Sequence, residues 1–178
     1  MTRLLAVALV LLAGLSAPAS ARLAVGAVPP DYLGKTPGKD EVRLSQTPGK
    51  IVIVTFWASW CGPCRQELPA LDALQKVAGD RARIIAVNVK DSPQDYKAIR
   101  RQMKDAALTF TWDRDGKIAE SYDVKGYPNL FVIDKAGKVA KVHVGFGEDS
   151  IERIVNDVNA LLVQDAASPA VAPPATAG

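Results

Sequence analysis

Residues 54–71 read VTFWASWCGPCRQELPAL and contain both cysteines of this 178-residue chain. Cys61 and Cys64 follow an apolar, β-branched run, residues 51–57, which is typical of a strand that is buried on both faces. After the cysteines the chain carries leucines at helical spacing, and Gly79 is a suitable end for such a helix. The stretch therefore predicts a central strand, then a cysteine pair, then a helix that begins at that pair.

The rest of the chain alternates between strand and helix patterns. One stripe of the first predicted helix holds apolar side chains, at Leu68, Leu71, Leu74 and Val77. Further strands are predicted at residues 83–89, 109–112, 126–134 and 139–146, and further helices at residues 92–107, 118–124 and 148–163. Ser92 is a candidate N-cap, followed by Pro93 at the first helical position. This order predicts an α/β sandwich with a mixed sheet and helices on both faces.

Composition and charge describe an ordinary globular domain. Apolar residues make up 48% and charged residues 23% of the chain, and the formal net charge is +3. The basic residues are scattered along the sequence, so we expect no nucleic-acid partner. We expect one domain, over residues 22–163, which is long enough to bury a sizeable core.

The two ends of the chain have patterns of their own. Residues 1–21 combine an early arginine, an apolar run of about a dozen residues and a small-residue cleavage pattern, Ala19-Ser20-Ala21, which is typical of a secretory signal peptide. That run is shorter than the roughly twenty residues of a membrane span, so we expect cleavage, with retention as a membrane anchor as the alternative. Residues 164–178 are rich in Ala and Pro and predict a disordered tail. The protein is therefore expected to be periplasmic or otherwise exported.

The spacing of the two cysteines favours chemistry over structural stabilisation. A disulfide that closes a loop of about four residues stabilises a fold by only ~2 kcal/mol in the chain-entropy model. Residues three apart in a first helical turn have Cα atoms roughly 5 to 6 Å apart, so the pair can open and close with little backbone movement. A structural zinc site needs about four ligands, whereas the chain contains two cysteines and one histidine. We therefore predict a redox-active disulfide between Cys61 and Cys64, with no metal and no other cofactor.

The position of each sulfur on the helix indicates its role. Cys61 would lie at the helix N-terminus, where unpaired backbone N–H groups and the helix dipole favour a thiolate, so it is the predicted nucleophile. Cys64, one turn further along, would face the protein and is the predicted resolving thiol. Pro63 suits a first helical turn, and Gly62 leaves the entrance open to the backbone of a substrate. Two tryptophans are candidates to cover one side of the site, or alternatively to fill the core: Trp57 and Trp60.

Several motifs together resemble one known family. FWASWCGPC at residues 56–64, followed by GYPNLFVID at residues 126–134, is similar to the thioredoxin superfamily. WCGPCRQELP, the signal pattern and the insertion at residues 91–107 resemble the exported TlpA/ResA-like thiol-disulfide oxidoreductases. The resemblance covers residues 30–163. It implies a thioredoxin-like three-layer sandwich with a central mixed sheet, an N-terminal extension and a central helical insertion.

The resemblance also assigns residues around the cysteines. Pro128 matches the family's cis-proline beside the cysteine pair, where the backbone of Tyr127 would receive an extended substrate segment. Glu67 matches the family's active-site glutamate. Because it lies about one helical turn from Cys64, its carboxylate could exchange a proton with that sulfur, and its charge would oppose ionisation of the thiol. A solvated helix carboxylate is the alternative for Glu67.

Other polar positions carry weaker signals. Thr55 stands where thioredoxins have a buried aspartate, so proton transfer must come from Glu67, from water or from another acid. His143 lies on an alternating strand, which favours a surface or rim histidine over a catalytic one. Lys90 and Asp91 follow a predicted strand and could border the site.

Together these features predict a two-step dithiol exchange that reduces protein disulfides. The Gly-Pro pair between the cysteines resembles reducing members, with potentials of about −270 mV, rather than oxidants near about −120 mV. The resemblance implies an integral membrane electron donor of the DsbD/CcdA kind, and oxidised exported proteins such as apocytochrome c as substrates. Two alternatives remain open. One is a copper-handling assembly factor that holds Cu(I) through the cysteine pair, although such proteins often add Met and His ligands, and the other is a redox-inert docking module.

Overall fold

The apolar run before the cysteines forms a strand near the centre of a seven-stranded sheet. The computed structural model describes residues 23–167, so the predicted signal peptide and the chain from residue 168 onward lie outside the described residues. The strands are β1 (Tyr32–Lys35), β2 (Glu41–Arg43), β3 (Ile51–Trp57), β4 (Ala82–Val89), β5 (Thr109–Asp113), β6 (Asn129–Ile133) and β7 (Val139–Val144). The helices are α1 (Gly62–Ala78), α2 (Pro93–Gln102), α3 (Lys117–Ser121) and α4 (Ser150–Ala167).

The sheet is mixed, and its strand order is β2-β1-β5-β4-β3-β6-β7. β3, β4 and β5 run parallel, whereas β6 is antiparallel to β3. Because parallel strands end at the same edge, the chain leaves β3 toward Cys61 and leaves β4 toward Asp91 at one edge of the sheet. β6 begins at that edge, since Asn129 pairs with Phe56 next to the end of β3. The topology therefore brings Pro128, the residue before β6, to the same edge as the cysteines.

Helices cover both faces of the sheet, as the sequence predicts. One face packs against α1, α2 and α4, and its buried side chains include Trp57, Leu68, Leu71, Tyr96, Ile154 and Val158. The other face packs against α3 and the N-terminal segment, and its buried side chains include Leu33, Val54, Phe56, Ile118, Tyr122 and Phe131. All of β3 is buried because each of its faces meets one of these layers. Burial of one such apolar side chain contributes roughly 1.5–3 kcal/mol, so β3 stabilises both cores at once.

The predicted signals at the helix ends are confirmed. Gly79 ends α1 with a φ of 54°, a conformation that costs glycine less than any residue with a Cβ. Ser92 is the N-cap of α2, and its hydroxyl accepts a hydrogen bond from the Asp95 N–H at 3.2 Å. Pro93 is the first residue of that helix, where its missing N–H costs no helical hydrogen bond.

The structure differs from the sequence prediction in several places, one of which is that α2 ends at Gln102, five residues before the predicted limit at residue 107. The leucine spacing places Val77 on or near the apolar stripe, but in the structure Val77 is 76% exposed. It lies nine residues after Leu68, and a rotation of roughly 100° per residue turns it to the opposite side of α1, so Ala78 takes the buried position. α4 continues past Val163 to Ala167, so residues 164–167, which are predicted as the start of the disordered tail, are helical because Ala and Gln favour helix. The sequence predicts an N-terminal extension but not the two strands, β1 and β2, that form a hairpin within it.

Candidate active site

Cys61 lies at the N-terminus of α1, directly after the turn that follows β3. Its backbone N–H donates to the Ala58 carbonyl at 3.1 Å, which closes that turn. Cys61 is the N-cap residue of α1, and its Sγ accepts a hydrogen bond from the Cys64 N–H at 3.2 Å. Unpaired N–H groups and the helix dipole favour negative charge at this position, so the fold places the Cys61 sulfur where a thiolate is stabilised.

The two cysteines form a disulfide bond in this structure. The sulfurs are 2.02 Å apart, and the Cα atoms are 5.3 Å apart, within the range that the helical spacing predicts. Cys64 is fully buried at 0% exposure, whereas Cys61 is 4% exposed. The difference is small, but it leaves Cys61 as the member of the pair that a substrate can approach.

Glu67 lies in the protein interior, so the alternative of a solvated carboxylate is wrong. It is 1% exposed, and its Oε2 accepts a hydrogen bond from the Thr55 hydroxyl at 2.6 Å. Burial raises the pKa of Glu67 to about 7, and the hydrogen bond from Thr55 acts in the opposite direction. Because Glu67 follows Cys64 by three residues on α1, an acid that titrates near neutral pH lies about one helical turn from the buried cysteine.

An aromatic pair, Trp60 and Tyr127, lies at the same edge of the sheet as the cysteines. Their ring centroids are 5.8 Å apart in an edge-to-face arrangement, and Trp60 is 73% exposed. Tyr127 packs against the apolar cluster that includes Cys61 and Cys64. The peptide bond between Tyr127 and Pro128 is cis, as the family resemblance implies. The predicted substrate-contact residues thus lie around the disulfide.

The remaining predicted residues near the cysteines divide between surface and core. Pro63 is exposed and Gly62 is half-buried. A Cβ added at Gly62 would meet no atom within 4 Å, so the approach to the disulfide is open there. Trp57 does not cover the site, because it is fully buried and packs against Tyr96 and Phe110. Its alternative assignment, as a core residue, is the correct one.

The three weaker candidates, His143, Asp91 and Lys90, do not form a single cluster. The His143 Nε2 and the Asp157 Oδ2 are 3.0 Å apart, which joins β7 to α4. Asp91 is buried and accepts hydrogen bonds from Ser59, in the turn before Cys61. Lys90, the residue before Asp91, has a positive φ of 57°. Sequence patterns did not identify Ser59 as the partner of Asp91, because Ser59 lies in the connection after β3 and Asp91 lies in the connection after β4.

Among residues 23–167, no group of three or more His, Cys, Asp or Glu side chains is arranged to hold a metal ion. Within the same residues, no helix has both the length and the apolar character that a membrane span requires.

Known proteins match this chain in both sequence and fold. Residues 25–142 match the model of the AhpC/TSA family. The chain belongs to the AhpC/TSA family. This assignment, together with the seven-stranded sheet and its helices, confirms the thioredoxin-like fold that the motifs imply, including the helical insertion at α2.

Three similar proteins indicate the chemistry of this AhpC/TSA family member. The thioredoxin-like protein YneN of Bacillus subtilis is 38% identical over 117 residues, which is 65% of this chain and 69% of YneN. The thiol-disulfide oxidoreductase ResA of Geobacillus kaustophilus is 31% identical over 140 residues, or 76% of this chain and 79% of ResA. A Chlorobium tepidum structure assigned as the thiol:disulfide interchange protein DsbE superposes with a TM-score of 0.74 at 35% identity, covering 79% of this chain and 99% of that one. The protein is therefore a thiol-disulfide oxidoreductase, as its cysteine pair predicts.

Proposed function

We propose that this oxidoreductase is exported and reduces disulfide bonds of other exported proteins. The observation that carries the proposal is the unequal placement of the two sulfurs at the start of α1. Cys61 is at the helix N-terminus and 4% exposed, whereas Cys64 is fully buried beneath the same surface. One thiol can meet a substrate while the other completes the reaction from within the protein.

The reaction proceeds in two exchange steps and transfers two electrons to the substrate. In the reduced protein, the Cys61 thiolate attacks one sulfur of the substrate disulfide, and the other substrate sulfur leaves as a thiolate that takes up a proton. Cys64 loses its proton and attacks the Cys61 sulfur of the mixed disulfide. The second substrate thiol is released, and the Cys61–Cys64 disulfide remains, which is the state of this structure.

Glu67 is the group that accepts the Cys64 proton in the second step. A general base is most effective when its pKa lies near the working pH, and the pKa of Glu67 is raised to about 7. The side chains and backbone that surround the disulfide bind the extended substrate segment, namely Trp60, Gly62, Pro63, Tyr127 and Pro128.

Sequence motifs support the proposed direction of electron flow and the proposed compartment. The Gly-Pro pair between the cysteines supports a reductant rather than an oxidant. The signal pattern of residues 1–21 supports export. A reductant outside the cytoplasm needs an electron supply, so we propose an integral membrane donor of the DsbD/CcdA kind. Apocytochrome c cysteines are proposed substrates because of the resemblance to TlpA/ResA-like proteins.

Matched serine variants test the proposed roles of the two cysteines. With dithiothreitol as reductant, the wild-type protein should accelerate insulin reduction, and Cys61→Ser should abolish the acceleration. Cys64→Ser should instead retain oxidised substrates as mixed disulfides on Cys61, which non-reducing electrophoresis and mass spectrometry would identify. Undiminished activity of Cys61→Ser would exclude it as the nucleophile, and tight Cu(I) binding without turnover would favour the copper-handling alternative.

Export is tested separately from the chemistry. Residues 1–21 fused to alkaline phosphatase, which becomes active only outside the cytoplasm, should give active enzyme in bacterial cells. A matched fusion in which the apolar run is interrupted by two arginines should give none. Inactive enzyme in the unmodified fusion would remove the exported compartment from the proposal and leave the thiol chemistry intact.

A further inference from the structure

Asp91 forms a buried link between β4 and the turn that precedes the cysteines. It lies directly before Ser92, the N-cap of α2, and is 6% exposed. Its Oδ2 accepts hydrogen bonds from the Ser59 N–H at 2.7 Å and from the Asn88 side-chain amide at 2.6 Å. Its Oδ1 accepts a third from the Ser59 hydroxyl at 3.0 Å. One carboxylate therefore binds both hydrogen-bond donors of a single residue in the turn.

Ser59 is the second residue of the turn that leads from β3 to Cys61. The Cys61 N–H donates to the Ala58 carbonyl at 3.1 Å, so residues 58–61 form a hydrogen-bonded β-turn. Trp60 is the third residue of that turn and points to solvent, with 73% of its surface exposed. Trp60 contacts Tyr127 through its ring, whereas Ser59 is held by hydrogen bonds from both its N–H and its hydroxyl, so Ser59 ties the turn before Cys61 to Asp91.

Asp91 meets the physical requirements of an anchor. A carboxylate that accepts from an N–H and an O–H of the same residue constrains the orientation of that residue as well as its distance. Hydrogen bonds to a charged acceptor are stronger than those between neutral groups. Asn88, which pairs with Trp57 across β3 and β4, binds the carboxylate from a second direction. The three donors offset the cost of burying the charge.

We infer that Asp91 is a positioning residue of the dithiol site: by binding Ser59, it holds the Cys61 sulfur at the N-terminus of α1, within reach of the Cys64 N–H. The inference rests on the proposed role of Cys61 as the nucleophile. Asp91 acts through Ser59 and exchanges no proton or electron in the reaction. Since Asp91 is the first residue of the insertion at residues 91–107, the insertion contributes directly to the geometry of the cysteine pair.

The charge of Asp91 also acts on Cys61, and its effect on the pH at which Cys61 becomes reactive is opposite to that of anchoring. The direction of the change therefore distinguishes charge repulsion from anchoring. A carboxylate near a thiol opposes thiolate formation by charge repulsion. If repulsion dominated, removing the Asp91 carboxylate would lower the pH at which Cys61 becomes reactive. If anchoring dominates, removing it lets the sulfur leave the helix N-terminus and raises that pH.

The experiment measures the pH dependence of Cys61 alkylation by iodoacetamide in the Cys64→Ser background, where Cys61 is the remaining cysteine. Asp91→Ala should raise the midpoint of this profile by about half a pH unit. Asp91→Asn, which keeps one acceptor oxygen for Ser59, should give part of that shift. Ser59→Ala removes one hydrogen bond and leaves the charge, so it should shift the midpoint in the same direction by less. Asp105→Ala, at an 84% exposed side chain in the same insertion, should leave it unchanged.

Enzyme turnover gives the second readout. In the two-cysteine protein, Asp91→Ala should lower kcat/KM for insulin reduction about threefold to tenfold, a range smaller than the loss of one full charged hydrogen bond. A midpoint that stays or falls in both Asp91→Ala and Ser59→Ala overturns the anchoring role. If Asp91→Ala does not fold, Ser59→Ala and Asp91→Asn decide the question. Failure of the proposed function is recognised independently. In that case, Cys61 in the Cys64→Ser protein without further substitutions would be alkylated no faster than an ordinary thiol.

Discussion

Thr55 donates a 2.6 Å hydrogen bond to Glu67, and this contact links the central strand to the helix that carries both cysteines. Thr55 is fully buried and Glu67 is 1% exposed. The hydroxyl stabilises the charged carboxylate, whereas burial favours the neutral acid, and burial has the larger effect. The pKa of Glu67 is therefore raised to about 7, so this side chain can hold or release a proton near neutral pH.

The raised pKa of Glu67 predicts that stability falls as the pH increases. In the unfolded chain Glu67 loses its proton near its ordinary pKa of 4.5, whereas in the folded protein it keeps the proton until about pH 7. Between these values the folded state binds more protons, so the contribution of Glu67 is complete below pH 4.5 and is lost by about pH 7. The loss amounts to at most about 3 kcal/mol.

Glu67→Gln should remove this dependence. The difference in the free energy of unfolding between wild type and Glu67→Gln, measured by urea denaturation of the oxidised protein, should change across pH 4.5 to 7 and be constant above that range. Glu120→Gln, at an exposed position on α3, is the matched control and should retain the wild-type profile. A difference that does not vary with pH would show that Glu67 titrates normally.

Loss of the Thr55 hydroxyl should move the same transition to higher pH. Thr55→Val keeps the shape of the side chain but removes the donor that lowers the pKa of Glu67. We expect the pH-dependent loss of stability to extend above pH 7, with a destabilisation of about 1–3 kcal/mol at pH 8. Thr55→Ser retains a hydroxyl and should stay close to wild type. The same urea measurements check both variants, and equal profiles for Val and Ser would contradict the role of the hydroxyl.

Truncation of the two tryptophans near the cysteines should affect different properties, namely stability for Trp57 and substrate binding for Trp60. Trp57→Ala removes a fully buried ring that packs against Tyr96 and Phe110, so it should cost about 3–5 kcal/mol of stability. Trp60→Ala removes a ring that is 73% exposed, so stability should change by less than about 0.5 kcal/mol. Because Trp60 is a proposed substrate contact, its loss should raise KM in the insulin assay. An unchanged KM would remove Trp60 from the substrate site.

The orientation of α1 predicts that alanine substitutions on its buried and exposed sides will differ in their effect on stability. Leu71 is fully buried, and Leu71→Ala should destabilise the protein by about 2–5 kcal/mol. Val77 is 76% exposed, and Val77→Ala should change stability by less than about 0.5 kcal/mol. Thermal unfolding of both variants checks the assignment. Similar losses for the two would place Val77 on the buried stripe after all.

Local patterns were sufficient for most elements of the fold. The β-branched run of β3, the N-cap at Ser92 and the glycine at residue 79 each depend on neighbouring residues, and each is confirmed. Val77 was misplaced because a leucine spacing of three drifts around a helix that has 3.6 residues per turn. The short hairpin of β1 and β2 has a weaker local signal, and its place in the sheet depends on the pairing of β1 with β5.

The sequence by itself determined the strand, the helix and the pairing of Cys61 with Cys64, because residues three apart at a helix start are neighbours in any fold that contains that helix. Only the tertiary structure decided that Glu67 and Asp91 are buried and which residues they contact. Thr55 meets Glu67 across a separation of 12 residues, and Ser59 meets Asp91 across 32. No local periodicity encodes such contacts, since they form only when β4 and α1 pack against β3.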